Sequence, residues 1–146
     1  MLGSAALLGW VLASPHPFPQ LTSVTIELYK GASTREHYHA TLRGMAQRPA
    51  LTTLSLQIYS WLPWAPKNFD AAAAPEREAR HIADLRLTFK HLAGMGRSPA
   101  PLVKWLRLFC GVREVSMFDP GPIKNICAIL GRELPQMKFT SYKLGK

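Results

Sequence analysis

The sequence predicts an α/β fold of the solenoid type, with about five parallel strands each followed by a helix or a loop. Three observations carry this reading: a strand motif recurring about every thirty residues, amphipathic helices between its copies, and enough apolar residues for a core. Of the 146 residues, 47% are hydrophobic and 18% charged, the balance of a folded domain rather than a disordered tail. Residues 1–146 read as one such domain.

The repeat is plainest at positions 21–30 and 51–60, LTSVTIELYK and LTTLSLQIYS. In both, apolar residues alternate with polar ones, at Val24, Ile26 and Leu28 and at Leu54, Leu56 and Ile58. Period-two alternation with β-branched and aromatic residues is the pattern of a half-buried strand. The same template, apolar-x-x-apolar-x-apolar, recurs from Ile82, Val112 and Leu134, so its starts at 21, 51, 82, 112 and 134 lie 30, 31, 30 and 22 residues apart. One such unit cannot bury its own apolar face, whereas stacked neighbours supply a continuous core. Crossovers that always return to the same edge make the strands parallel. A doubly wound α/β domain also alternates strand and helix, but does not predict one strand sequence five times.

The elements follow in order. Residues Ser4 to Ala13 are apolar and read as a helix leading into the first repeat. Val11-Leu12-Ala13 is compatible with a signal-peptide cleavage site, but no Lys or Arg stands between Met1 and Lys30 to form the positive region of a leader. Pro15, Pro17 and Pro19 make the next stretch a stiff extended connector, completing a leading segment of residues 1–20. Ser33 to Glu36 spells a capping box, opening a helix whose Tyr38, Leu42 and Met45 share one face; Gly44 weakens it and Pro49 stops it. Residues 61–80 read as a loop insertion, with two prolines and four consecutive alanines over Trp61 to Ala74 and then a short polar helix from Pro75. Its Trp61 and Trp64 serve either as a binding hook or as a cover over the edge of the core. Pro99 to Cys110 aligns Leu102, Val103, Leu106 and Phe109 on one stripe, and Pro122 starts a helix burying Ile123, Ile126, Cys127 and Leu130. The last unit is short and leaves an edge strand near Phe139, with Lys138, Lys143 and Lys146 placed to blunt it.

No apolar run approaches the roughly 18 residues of a membrane-spanning helix. Cys110 and Cys127 cannot staple a miniprotein, and their apolar surroundings favour buried, reduced thiols, hence an intracellular location in cytoplasm or nucleus. The net charge of +9 is lopsided, with five Lys/Arg against three Asp/Glu in residues 1–73 and thirteen against six in residues 74–146. Such a surplus favours acidic partners, either nucleic acid or an anionic protein face, although no five like charges stand together.

Signs of chemistry are sparse. His37 and His39 on a helix point about 200° apart and cannot share a metal ion. His81 and His91 bracket a strand at a separation that suits no compact site. Gly94-Met95-Gly96 lacks the Lys-Ser/Thr of a phosphate loop. No catalytic, cofactor-binding or metal-ligating residue is expected, and no cofactor.

What remains is the open side of the strand array, where the residues between the inward apolar ones face outward. Reading across the strands gives one row of Thr25, Ser55, Arg86, Ser116 and Lys138. The next holds Glu27, Gln57, Thr88, Phe118 and Thr140, and a third Tyr29, Tyr59, Lys90 and Tyr142. Tyrosine and arginine are favoured anchors at protein interfaces.

The template itself, with its long helix-bearing units, is that of leucine-rich repeats of the intracellular type. More specifically, LTSVTIELYKG, LTTLSLQIYSW and RHIADLRLTF resemble the divergent leucine-rich-repeat region of fungal F-box proteins, over roughly residues 1–144. The resemblance implies the arm of a cullin-type ubiquitin ligase that holds a target protein. An F-box, a helical segment opening on Leu-Pro, has no counterpart in residues 1–20, so a ligase adaptor becomes a partner only if an F-box lies upstream. The functional expectation is a non-enzymatic protein-interaction module whose target the sequence does not name. The alternatives are a basic nucleic-acid-binding domain and a secreted repeat protein.

Overall fold

Alternation of apolar and polar residues in the sequence becomes alternation of burial in the fold. A computed structural model describes residues 2–4, 21–29, 34–59, 74–90, 98–120 and 125–143. It contains strands β1 (Leu2–Ser4), β2 (Ser23–Leu28), β3 (Thr53–Ile58), β4 (Asp84–Phe89), β5 (Glu114–Phe118) and β6 (Lys138–Tyr142). Helices α1 (Thr34–Ala46), α2 (Ala100–Leu106) and α3 (Ile126–Glu133) lie between strands, and a 3₁₀ turn spans Pro75–Arg77. The strands form one sheet in the order β1-β2-β3-β4-β5-β6, every neighbouring pair parallel. The fold is α/β, and strands adjacent in sequence are adjacent in space.

Inward-facing positions line up across the sheet. Val24, Leu54, Leu85, Val115 and Phe139 share one register position, and Ile26, Leu56, Leu87 and Met117 share the next. All but Phe139 are buried, and they join a single core with Tyr38, Leu42 and Met45 of α1 and with Leu102, Val103, Trp105 and Leu106 of α2. Full burial of one such aliphatic side chain contributes about 1.5–3 kcal/mol, so these ladders hold the helices on one face and leave the other open. On β6 the second ladder ends in Ser141, which is exposed.

The repeat is also written in the backbone. Ahead of β3, the Thr22 carbonyl accepts from both Thr52 N–H (3.0 Å) and Thr53 N–H (3.2 Å). Ahead of β4, the Thr52 carbonyl accepts from Ala83 (2.9 Å) and Asp84 (3.1 Å), and ahead of β5 the Ala83 carbonyl accepts from Arg113 (2.8 Å) and Glu114 (3.2 Å). Three successive units therefore start on the same two-donor bond. That device satisfies the donors just before each strand, which would otherwise be left unpaired at the sheet's end.

The structure corrects several expectations. Leu2–Ser4 is a strand, so Ser4 does not open a helix; its register partners are Thr25, Ile26 and Glu27. The expected helix body of residues 5–13, the proline connector, the capping Ser33, Trp61 and Trp64, His91, Gly94 to Gly96, Pro122 with Ile123, and Lys146 lie outside the described residues. The second helix ends at Leu106, and Cys110 stands beyond it, exposed rather than in the core. Leu108 and Phe109 already follow tighter backbone bonds, with Leu108 N–H reaching Trp105 O at 3.0 Å and Phe109 N–H reaching Leu106 O at 3.2 Å.

The largest correction concerns β6. The template starting at Leu134 places Met137 beside Val115, but Val115 pairs with Phe139, two residues later. Leu134 instead closes α3, its N–H bonded to Leu130 O at 2.8 Å, and Met137 turns back onto Leu134 O at 3.0 Å. Both side chains are buried, so the apolar spacing is used by a helix end and a turn. The strand begins at Lys138, whose N–H meets Arg113 O at 2.7 Å.

Candidate functional site

Each strand of the open face offers alternate residues at fixed register. The first row is Ser23, Thr53, Asp84, Glu114 and Lys138, and the second Thr25, Ser55, Arg86, Ser116 and Thr140. The third is Glu27, Gln57, Thr88, Phe118 and Tyr142. Tyr29, Tyr59 and Lys90 follow the C-terminal ends of β2, β3 and β4, where Tyr59 N–H bonds to Leu28 O and Lys90 N–H to Ile58 O. The rows expected for β2 to β5 hold. On β6 the two-residue shift moves Lys138 out of the Arg86 row to stand beside Glu114. It also moves Thr140 into that row and Tyr142 from the last row to a place beside Phe118.

The shift has a chemical consequence. Phe118 and Tyr142 stack, with ring centroids 5.1 Å apart and planes 20° apart. Two strands away Tyr29 and Tyr59 stack more closely, at 4.4 Å and 16°. Tyr29 and Tyr142 are the exposed large hydrophobic residues of the described chain, at 46% and 47%. Aromatic pairs of this kind are worth about 0.5–1.5 kcal/mol beyond their buried area, so the rings are set before any partner arrives. The Tyr29 hydroxyl donates to Glu27 Oε2 at 3.3 Å. Its pKa is pushed up to about 12, first by hydrogen bonding with Tyr59, then by desolvation and the negative charge of Glu27.

Between the two stacks runs β4, with Arg86 and Thr88, and Lys90 just beyond. Arg86 is exposed, and among the described residues it makes no hydrogen bond or ion pair. Its register partners are Ser55 and Ser116, short enough to leave the guanidinium open. The face carries acidic Glu27, Asp84 and Glu114 as well as basic Arg86, Lys90 and Lys138, so it is not a uniformly basic stripe.

A second polar cluster was not foreseen, and it lies inside. Tyr38 of α1 donates its hydroxyl proton to Glu76 Oε1 at 3.1 Å, and Trp105 Nε1–H of α2 is shared between Tyr38 Oη (3.2 Å) and Glu76 Oε1 (3.3 Å). All three residues are buried, with Glu76 only 3% exposed. Burial raises the Glu76 carboxyl above its ordinary value against the opposing pull of its hydrogen bonds, and raises the Tyr38 hydroxyl likewise. The cluster ties the 3₁₀ turn to both helices. The short polar helix expected from Pro75 is a 3₁₀ turn with Pro75 and Glu76 buried; Pro75 beside an alanine run is the sequence sign of such a turn.

The other singled-out residues form no site. His37 and His39 ride on α1, and burial, with help from Arg43 and Arg35, lowers the His39 pKa. Among the described residues no group of three or more His, Cys, Asp and Glu gathers. Cys110 and Cys127 are free, Cys127 half-buried against the core. An open groove of about 480 Å³ lies where α3 begins, between Asn125 to Ala128 and Ser141 to Lys143. No helix among the described residues is long and apolar enough to cross a membrane. Compared with protein-family models, with curated proteins and with solved structures, the chain matches none.

Proposed function

We propose that this chain is a non-enzymatic protein-interaction module of the leucine-rich-repeat type, a short solenoid that holds a partner on its open strand face. The observation that carries the proposal is the arrangement of two pre-stacked aromatic pairs on either side of an exposed arginine that has no partner among the described residues. Tyrosine and arginine presented rigidly lose little conformational freedom on binding and supply most of the energy at interface centres. The repeat reading is supported by the sequential parallel order and by the two-donor carbonyl that recurs ahead of β3, β4 and β5. A ubiquitin-ligase context rests on the resemblance of the strand sequences to fungal F-box repeats. In that context the bound protein is the ligase's target.

The test is comparative. Tyr59→Ala, Arg86→Ala and Phe118→Ala combined should abolish capture of the partner that the wild-type chain retains, with an unchanged circular dichroism spectrum and melting transition cooperative in both. Retained capture by the folded triple variant would contradict the reading. Nucleic-acid binding is the alternative with a different signature, a steep fall in affinity with rising salt. The three acidic residues among the rows disfavour it.

A further inference from the structure

We infer that the open face recognises an extended peptide segment bearing an anionic oxygen group, received by Arg86 and Lys90 between the two aromatic stacks. The inference rests on the interaction-face reading and adds the chemistry of the partner. Arg86 has the geometry of a receptor rather than of a structural ion pair. It is exposed and without a partner among the described residues, and a guanidinium fork binds carboxylate or phosphate through two parallel N–H donors. Its neighbours in register are Ser55 and Ser116, with Thr25 and Thr140 beyond them, so the row offers hydroxyl donors and no competing carboxylate. Four residues along, Lys90 adds a second positive charge at the end of the same strand.

The flanks set what else the ligand must be. Tyr59, just past the end of β3, and Phe118 of β5 flank β4 one row apart, with about 10 Å between their backbones across the sheet given the usual strand spacing of about 4.8 Å. That width suits one extended chain better than a helix, whose diameter with side chains is about 10–12 Å. Asp84, two residues before Arg86 on the same face, stands with Glu114 in the row farthest from Lys90 and disfavours an acidic group on that side of Arg86, while Glu27 lies in the Thr88 row two strands away. The ligand's negative charge is thus placed on the side of Arg86 that faces Lys90, away from Asp84.

The experiment is selection of a displayed library of random linear peptides on the full chain, followed by titration of synthetic versions of the peptides selected. An acidic residue should be enriched at one position, and its replacement by the amide should weaken binding by about ten- to a hundredfold. Arg86→Met should cost the same factor for the acidic peptide and nothing further for its amide version. Synthetic versions with Glu or with phosphoserine at that position separate the two sources, the tighter one identifying which group the site takes. Selected peptides that lose affinity on Tyr59→Ala and Phe118→Ala, yet show no acidic preference, would overturn the inference and leave the interaction-face reading standing. Peptides indifferent to all three substitutions, or no selection above background, would overturn both.

Discussion

Gly111 sits where two stretches of backbone come unusually close. It lies between α2 and β5, and a Cβ built there would stand 1.8 Å from the Arg80 carbonyl oxygen, 2.8 Å from the Arg80 carbonyl carbon and 3.2 Å from Ile82 O. These are backbone atoms, so no rotamer change relieves the contact; the chain must move by more than about 1 Å. The opposing segment resists, because Ala83 N–H is bonded to Thr52 O at 2.9 Å and Ile82 is buried. Overpacking of this kind costs about 1–3 kcal/mol or more, against a gain of about 0.4–1 kcal/mol from restricting the unfolded chain. Gly111→Ala should therefore destabilise by about 2 kcal/mol, lowering the melting temperature by roughly 4–8 °C in a chain of this size. Gly131 is the internal control. It lies within α3, where an added Cβ meets nothing within 4 Å, so Gly131→Ala should stabilise by about 0.5–1 kcal/mol. Urea unfolding of both variants followed by circular dichroism decides the matter. A Gly111→Ala protein as stable as the parent would refute the close approach of the two units.

Other consequences are as direct. Because the folded Glu76 carboxyl titrates above its ordinary value, its contribution to stability is complete below the usual carboxylate range and is lost as pH rises through the folded value. Glu76→Gln, which keeps an acceptor for Tyr38 and Trp105, should melt higher than the parent at neutral pH and lose that pH dependence; unchanged pH dependence of the melting temperature would remove Glu76 as its source. Glu76→Ala removes the acceptor of the buried Tyr38 hydroxyl and one of the two acceptors of Trp105 Nε1–H, and should cost about 1–3 kcal/mol in the same melting experiment. In tyrosine-labelled protein followed by NMR, Tyr29 should ionise near 12 and fall towards 10.0 in Tyr59→Phe, whereas ionisation at 10.0 in the parent would deny the hydrogen bond between the rings. The Arg107–Glu133 pair, 3.5 Å apart with both side chains 55% exposed, should contribute no more than about 0.5 kcal/mol in a double-mutant cycle.

Strands β2 to β5 were legible because two independent signals coincide there, period-two alternation and a near-constant spacing that fixes register. The site rows on those strands followed from the same arithmetic. β1 carried neither signal: three residues including Gly3 offer no alternation to read. β6 misled because Leu134 and Met137 have the template's spacing while serving as a helix end and a turn, an ambiguity that local apolar spacing cannot resolve. The stack of Phe118 on Tyr142 was consequently invisible. Glu76 was missed for a different reason. A glutamate beside Arg77 and Glu78 reads as surface, and only the distant Tyr38 and Trp105 make its burial tolerable.

The central claim, that the open strand face is where a partner sits, is tested most directly by site-specific photo-crosslinking. A photoreactive residue at Thr88, between the two aromatic stacks, should yield a partner adduct in cells. The same residue at Lys104 or Arg132, exposed positions on helices α2 and α3, should yield none. Adducts from Lys104 or Arg132 with none from Thr88 would place the partner on the helical side and contradict the account.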